Sequence, residues 1–297
     1  QILSGIDIFS GTTQCPDRST DDSAVFEVVA TGGLPLTYTW SIITIKTFQF
    51  VPGYDANPGD GAGQLMVDFT DSIFQGITQG LVISCTVEDG VNPPISADAL
   101  QIYLDCILFK ADLNDNVLYD NQFWKIMDKA GDTTWMLVGG IDQGTNLTGT
   151  GALWQDDTGG VAVASKGMLV CPPIIIPGFM SAATVKITHS YSFDPVSMGG
   201  NIKIGKVGTL TSVGIVEMPI SSGQDYDLTL TDPDNAMYPQ SVFSAPNNPS
   251  PAYISYIDVP GSLLADVIQI GFSAASGTLS YNDGGWLIDN VLVTGTL

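Results

Sequence analysis

Hydrophobic and polar positions alternate with a period of two in several stretches of the chain. Leu36, Tyr38, Trp40 and Ile42 fall on one parity, with Thr37, Thr39 and Ser41 on the other. Leu81, Ile83, Cys85 and Val87 alternate with Val82, Ser84, Thr86 and Glu88. Successive side chains of a strand point to opposite faces, so each run predicts a strand with one buried face. Val185, Ile187, His189, Tyr191 and Phe193 repeat the pattern against Lys186, Thr188, Ser190 and Ser192. Ile268, Ile270 and Phe272 line one face of a later strand, and the β-branched and aromatic stretch from Trp286 to Thr294 predicts the last. No stretch sustains a 3.6-residue period, so helices are not expected. Turn formers separate the runs, as in Asn57-Pro58-Gly59-Asp60-Gly61 within the turn-rich stretch 52–63.

Composition narrows the class. The 297 residues are 44% hydrophobic, enough for packed cores, and only 13% charged, against roughly 25% in an ordinary soluble domain. Length favours two domains. Nine Lys and Arg face 31 Asp and Glu, a formal charge of −22. Nucleic acid and anionic membranes need cationic surfaces and are therefore not expected as partners. No apolar run reaches the roughly 18 residues of a membrane span. The chain begins with Gln1 and no charged, apolar leader follows, as expected of a secreted chain whose signal peptide has been removed. Four cysteines, Cys15, Cys85, Cys106 and Cys171, include no CxxC pair, which argues against a zinc knuckle or thioredoxin-like site. An even count in a secreted chain predicts two disulfides. Of the three possible pairings, Cys15–Cys85 with Cys106–Cys171 is the one favoured here; buried thiols are the alternative.

A strand with an inward Trp followed by one with an inward Cys is how Ig-like sandwiches fill their cores. Thr31-Gly32-Gly33-Leu34-Pro35-Leu36-Thr37-Tyr38-Thr39-Trp40 resembles the opening of a PKD-type Ig-like repeat. Val87-Glu88-Asp89-Gly90-Val91-Asn92-Pro93-Pro94-Ile95-Ser96 resembles the turn before the last strand of PKD and cadherin-like modules. The resemblance implies an Ig-like domain over residues 1–107 and says nothing of a ligand. Residues 108–117 read as a junction. Asp112, Asn114, Asp115 and Asn116 within it are similar to the calcium-binding linker of cadherins. Clustered carboxylate and amide oxygens suit a hard cation such as Ca²⁺, and a solvated acidic turn is the alternative.

Residues 118–297 resemble the MAM-like jelly rolls attached to secreted peptidases of the immune-inhibitor-A type. The likeness rests on Leu118-Tyr119-Asp120-Asn121-Gln122-Phe123-Trp124, on Ala183 to Asp194 with its His189-x-Tyr191-x-Phe193 run, on Met198-Gly199-Gly200-Asn201-Ile202-Lys203-Ile204, and on Gly284-Gly285-Trp286-Leu287-Ile288-Asp289-Asn290-Val291. It implies a structural Ca²⁺ shared by Asp120 and Asp289. Asn290 stands where the family has a second acid, which removes a charge from any such site. Parity places Asp289 with Val291 and Val293, on an apolar face, where a carboxylate needs a cation or several donors.

Catalytic equipment is sparse. His189 is the single histidine and lies between Ile187 and Tyr191 on an apolar strand face, which reads as a hydrogen-bonded core residue. A Ser–His–Asp triad would have to route through it. No Gly-x-Ser-x-Gly, His-Glu-x-x-His or Gly-x-x-x-x-Gly-Lys motif occurs. Acidic pairs such as Asp21-Asp22, Glu88-Asp89, Asp156-Asp157 and Asp232-Pro233-Asp234 sit in turn-like contexts, where Asp bonds its own backbone. Trp135 and Trp154, in loop-like surroundings, are the candidates for stacking on a sugar ring. The expectation is an all-β, non-enzymatic, secreted protein: an Ig-like sandwich followed by a jelly roll. It would self-associate into a filament, sheath, surface layer or capsid stabilised by Ca²⁺. The alternative is a carbohydrate-binding accessory module of a secreted enzyme.

Overall fold

The computed structural model describes residues 8–10, 15–16, 23–30, 35–44, 49–51, 63–74, 77, 80–97, 99–112, 124–138, 151–155, 162, 164–194, 196–212, 217–244, 252–277 and 285–297. The chain divides into two compact units, Gln1–Leu108 and Phe109–Leu297. Both are built from strands, with only short 3₁₀ turns among the described residues.

The first unit contains β1 (Ile8–Ser10), β2 (Ser23–Val28), β3 (Thr37–Thr44), β4 (Gln64–Asp68), β5 (Leu81–Glu88), β6 (Ile95–Ser96) and β7 (Leu100–Ile102). β1, β2 and β4 form one antiparallel sheet; β3, β5 and β6 form another, with β7 also on β5. The predicted alternation holds in the strands. Tyr38 lies opposite Val87, Trp40 opposite Cys85 and Ile42 opposite Ile83, and all six are buried. Facing residues Phe26, Val28, Leu65 and Val67 come from the other sheet and belong to the same core. Phe69 packs edge-on against Phe26 at 6.5 Å, an arrangement that sets ring edge against ring face.

One disulfide occurs among the described residues, and it joins Cys15 to Cys106. The favoured pairing is therefore corrected. Cys85 keeps the parity of Ile83 and Val87, so its sulfur lies in the core, while Cys171 is a buried thiol of the second unit. Cys106 ends the 3₁₀ turn Leu104–Cys106 after β7. There its Cα comes within 4.8 Å of that of Cys15, inside the span a disulfide bridges.

Strand β8 (Ile107–Asp112) leads into the second unit. It is followed by β9 (Lys125–Ala130), β10 (Thr134–Val138), β11 (Gly151–Gln155), β12 (Lys166–Val170), β13 (Ile174–Ile175), β14 (Ala182–Ser192) and β15 (Met198–Lys206). Then come β16 (Ser222–Gly223), β17 (Leu228–Thr229), β18 (Ser241–Val242), β19 (Tyr253–Asp258), β20 (Val267–Ser276) and β21 (Gly285–Thr296). A seven-stranded sheet runs β10-β11-β21-β14-β19-β16, with β8 also on β21. A five-stranded sheet runs β13-β20-β12-β9, with β15 also on β20. The two sheets meet through Trp286 of β21 and Phe272 of β20, whose rings lie 5.9 Å apart. Gly200 of β15 makes that contact possible, since a Cβ there would sit 2.3 Å from the Trp286 ring.

Candidate functional site

His189 lies where its parity put it, fully buried on the inner face of β14. Its Nδ1 accepts the indole N–H of Trp286 at 3.1 Å. An indole nitrogen can only donate, so Nδ1 is bare and Nε2 carries the proton. Nε2 therefore donates to Ser255 Oγ at 2.9 Å, and that hydroxyl donates onward to the Gln224 carbonyl at 2.6 Å. A nucleophilic serine must give its proton to the histidine; here the serine accepts from it. Burial lowers the imidazole pKa to about 3, so the ring stays neutral. Both residues are closed to solvent. Ser255 and His189 are a satisfied core pair rather than a catalytic dyad.

The Trp candidates for sugar stacking are also inside. Trp135 lies opposite Trp154 across β10 and β11. Trp154 lies opposite Trp286 across β11 and β21, and Trp286 opposite Tyr191 across β21 and β14. Cross-strand partners share a face, so four strands present one continuous aromatic row to the core. Trp135 is 3% exposed and Trp154 0%, and neither offers a ring to a saccharide. This corrects the expectation of surface tryptophans. The sequence around them reads as loop, and only the strand pairing reveals that they stack into the sandwich.

Asp289 is not on the apolar face either. Asn290 pairs with Thr188 and Ile288 with His189, so Asp289 is the extra residue of a β-bulge. A bulge re-aims the side chain it carries, and Asp289 is half-buried. The other proposed calcium donors, Asn114, Asp115, Asn116 and Asp120, lie outside the described residues, as does the side chain of Asp112. Among the described residues, no group of three or more His, Cys, Asp or Glu is arranged to hold a metal ion.

The acidic turns that are described satisfy themselves. Asp89 is buried and accepts the backbone N–H groups of Val91 and Asn92 at 3.0 and 2.8 Å. It also accepts the Asn92 amide at 2.6 Å. The bonds from Asn92, backbone first, lower its pKa to about 2. Asp232 caps its own turn through the N–H of Asp234. Asn235 ties that turn down, donating to the carbonyls of Ser197 and Ala275 at 2.7 and 3.2 Å. Asp21-Asp22 and Asp156-Asp157 fall outside the described residues.

The outer face of the seven-stranded sheet is accessible in the second unit. Leu292, Lys186, Tyr256 and Ser222 form one cross-strand row over β21, β14, β19 and β16. Asn290, Thr188 and Ile254 flank it on one side, and Thr294, Thr184 and Asp258 on the other. All are half-buried or exposed. Thr184 Oγ1 donates to Asp258 at 3.3 Å. Sequence reading missed this face because β19 carries aromatic or apolar residues on both parities, Tyr253 and Ile257 inward and Ile254 and Tyr256 outward.

Comparison with solved structures yields several chains of low similarity. The K1 cleaved adhesin domain of Lys-gingipain from Porphyromonas gingivalis W83 superposes with a TM-score of 0.39 at 11% identity, covering 64% of this chain and 98% of that one. A carbohydrate-binding module of the β-sandwich superfamily gives 0.30 at 11% identity, covering 98% and 96%. The mannan-recognising module TmCBM27 gives 0.33 at 9% identity, covering 63% and 96%. Likeness at this level carries no argument about ligand or activity. No family model matches the chain, and no curated protein matches it.

Proposed function

We propose that this chain is a non-catalytic extracellular protein that acts through its surfaces, as an adhesive or structural subunit of a self-associating assembly. The observation that carries the reading is the state of His189. The single histidine of the chain is neutral, buried and hydrogen-bonded with the wrong polarity for general-base work. The disulfide supports an oxidising compartment, and the acid excess keeps the free subunit soluble. Calcium belongs to the same proposal, held by Asp112, Asn114, Asp115, Asn116 and Asp120, whose oxygen chemistry suits it. Asp289, the bulge residue of β21, is the remaining candidate donor. Light scattering with Ca²⁺ and with EDTA tests the reading. Large calcium-dependent species are expected, and a monomer under both conditions overturns it.

The open sheet face favours a second reading, a glycan-binding module. Tyr256 offers an aromatic surface between Lys186 and Ser222, with the amide and hydroxyl groups of Asn290 and Thr188 in the next row. An aromatic ring flanked by polar groups can meet both faces of a sugar. Glycan screening of the wild type against Tyr256→Ala separates the readings: binding lost in the variant supports a module, and no binding in either leaves self-association.

A further inference from the structure

We infer that the Cys15–Cys106 disulfide is a tension bypass that shields the first unit from mechanical unfolding. The bridge spans 91 residues of sequence. Strands β2, β3, β4, β5, β6 and β7 all lie between its two cysteines, and β1 alone among the described strands of this unit lies before them. Tension entering at the N-terminus therefore runs along the chain to Cys15, crosses the sulfur–sulfur bond to Cys106, and passes directly into β8. Strands β2 to β7 hang from this path as a side loop, loaded only through the pairing of β1 with β2. Only β1, three residues paired to β2, can be peeled.

The anchoring of Cys106 fits the role. Asp105 and Cys106 both hold φ at +53°, a left-handed conformation that residues other than glycine rarely adopt. The bridge and a hydrogen bond from the Asp105 N–H to the Pro16 carbonyl, 2.9 Å, hold the turn against the segment that carries Cys15. Both ends of the loop are thus clamped to each other by a covalent bond and a backbone bond side by side. The second unit has no such strap among its described residues: its one cysteine, Cys171, is a buried thiol. The two units should therefore answer tension differently. The inference concerns the path of force and holds whichever surface partner the protein has.

Force spectroscopy on the full chain, held by its N- and C-termini, tests this. The oxidised wild type is expected to lengthen by about 60 nm as the second unit opens, at ~3.4 Å per extended residue. It should show no step of about 30 nm, the length stored behind the bridge at the same rise. Adding dithiothreitol to the same folded molecules at constant force should release that step, and Cys15→Ser/Cys106→Ser should show it without reductant. If the double variant does not fold, the reductant experiment on the wild type decides. A 30 nm step in the oxidised wild type overturns the inference, and so does its absence after reduction.

Discussion

The first unit closes its chain with a covalent bond around two small sheets; the second closes two larger sheets around an aromatic row. In the first, the core residues follow strand parity with little interruption, and Trp40 is its only tryptophan. In the second, Trp135, Trp154, Trp286 and Tyr191 stand in one cross-strand line, and polar groups are buried among the rings. The comparison shows two solutions to one problem. A small sandwich has a limited core, and a bridge that constrains the unfolded chain offsets the deficit. A larger one gains enough from aromatic burial to hold a histidine and serine inside, provided they bond each other and their neighbours.

Substitutions should separate the two units. The largest effect is expected from Trp286→Ala, which removes the ring that joins the two sheets and leaves the His189 Nδ1 without its donor. A loss of about 3–5 kcal/mol is expected from the cavity alone, confined to the second unit in urea unfolding. Gly200→Ala should destabilise the same unit by about 1–3 kcal/mol or more, because its Cβ would overlap the Trp286 ring. A full-strength second unit in either variant would show that the row is not its keystone.

Next in size is the disulfide. Cys15→Ser/Cys106→Ser should cost the first unit about 4.6 kcal/mol by loop entropy, leaving the unfolding of the second unchanged. Thiol titration checks the pairing directly. Burial raises the thiols of Cys85 and Cys171 to about 11 and about 12, so neither should react in the native protein at pH 8. Denaturation without reductant should expose two thiols; four would mean that the bridge is absent.

Between about pH 6.5 and about pH 4 the effect of pH should fall on the second unit, because the lowered pKa of Asp89 in the first unit acts only below that range. His189 titrates at about 3 in the fold and near 6.5 unfolded. Between these values the unfolded chain binds a proton that the folded chain does not. The histidine's contribution is therefore fully present above about 6.5 and is lost as pH falls, by roughly 1.4 kcal/mol per pH unit. His189→Gln, which keeps a donor and an acceptor, should remove this slope from a series of melting curves. The smallest expected effect is that of Tyr256→Ala on the outer face, within about 0.5 kcal/mol of wild type. A larger loss would place Tyr256 in the packing rather than on a binding surface.

Strand alternation made much of the architecture legible. The runs containing Trp40, Cys85, His189 and Phe272 all became strands with the expected residues inward. His189 itself was readable as a core residue, because its neighbours at two-residue spacing are apolar. The candidate sites were less legible. Parity predicts a face only while the ladder is unbroken, and the bulge at Asp289 shifts it by one residue. Trp135 and Trp154 sit among turn formers, and their burial follows from the strands beside them.

The sequence by itself determined that the chain is all-β, that its alternating runs each have a dry face, and that its one histidine is a poor catalyst. These are local properties, set by the two-residue period of side chains along a strand. The tertiary structure alone decided which cysteines meet, which strands bring the tryptophans into one row, and where the bulge falls. It also decided which sheet face stays open to solvent. Those outcomes depend on pairings between residues tens of positions to more than a hundred apart, and each such pairing is fixed by how the sheets close over their cores.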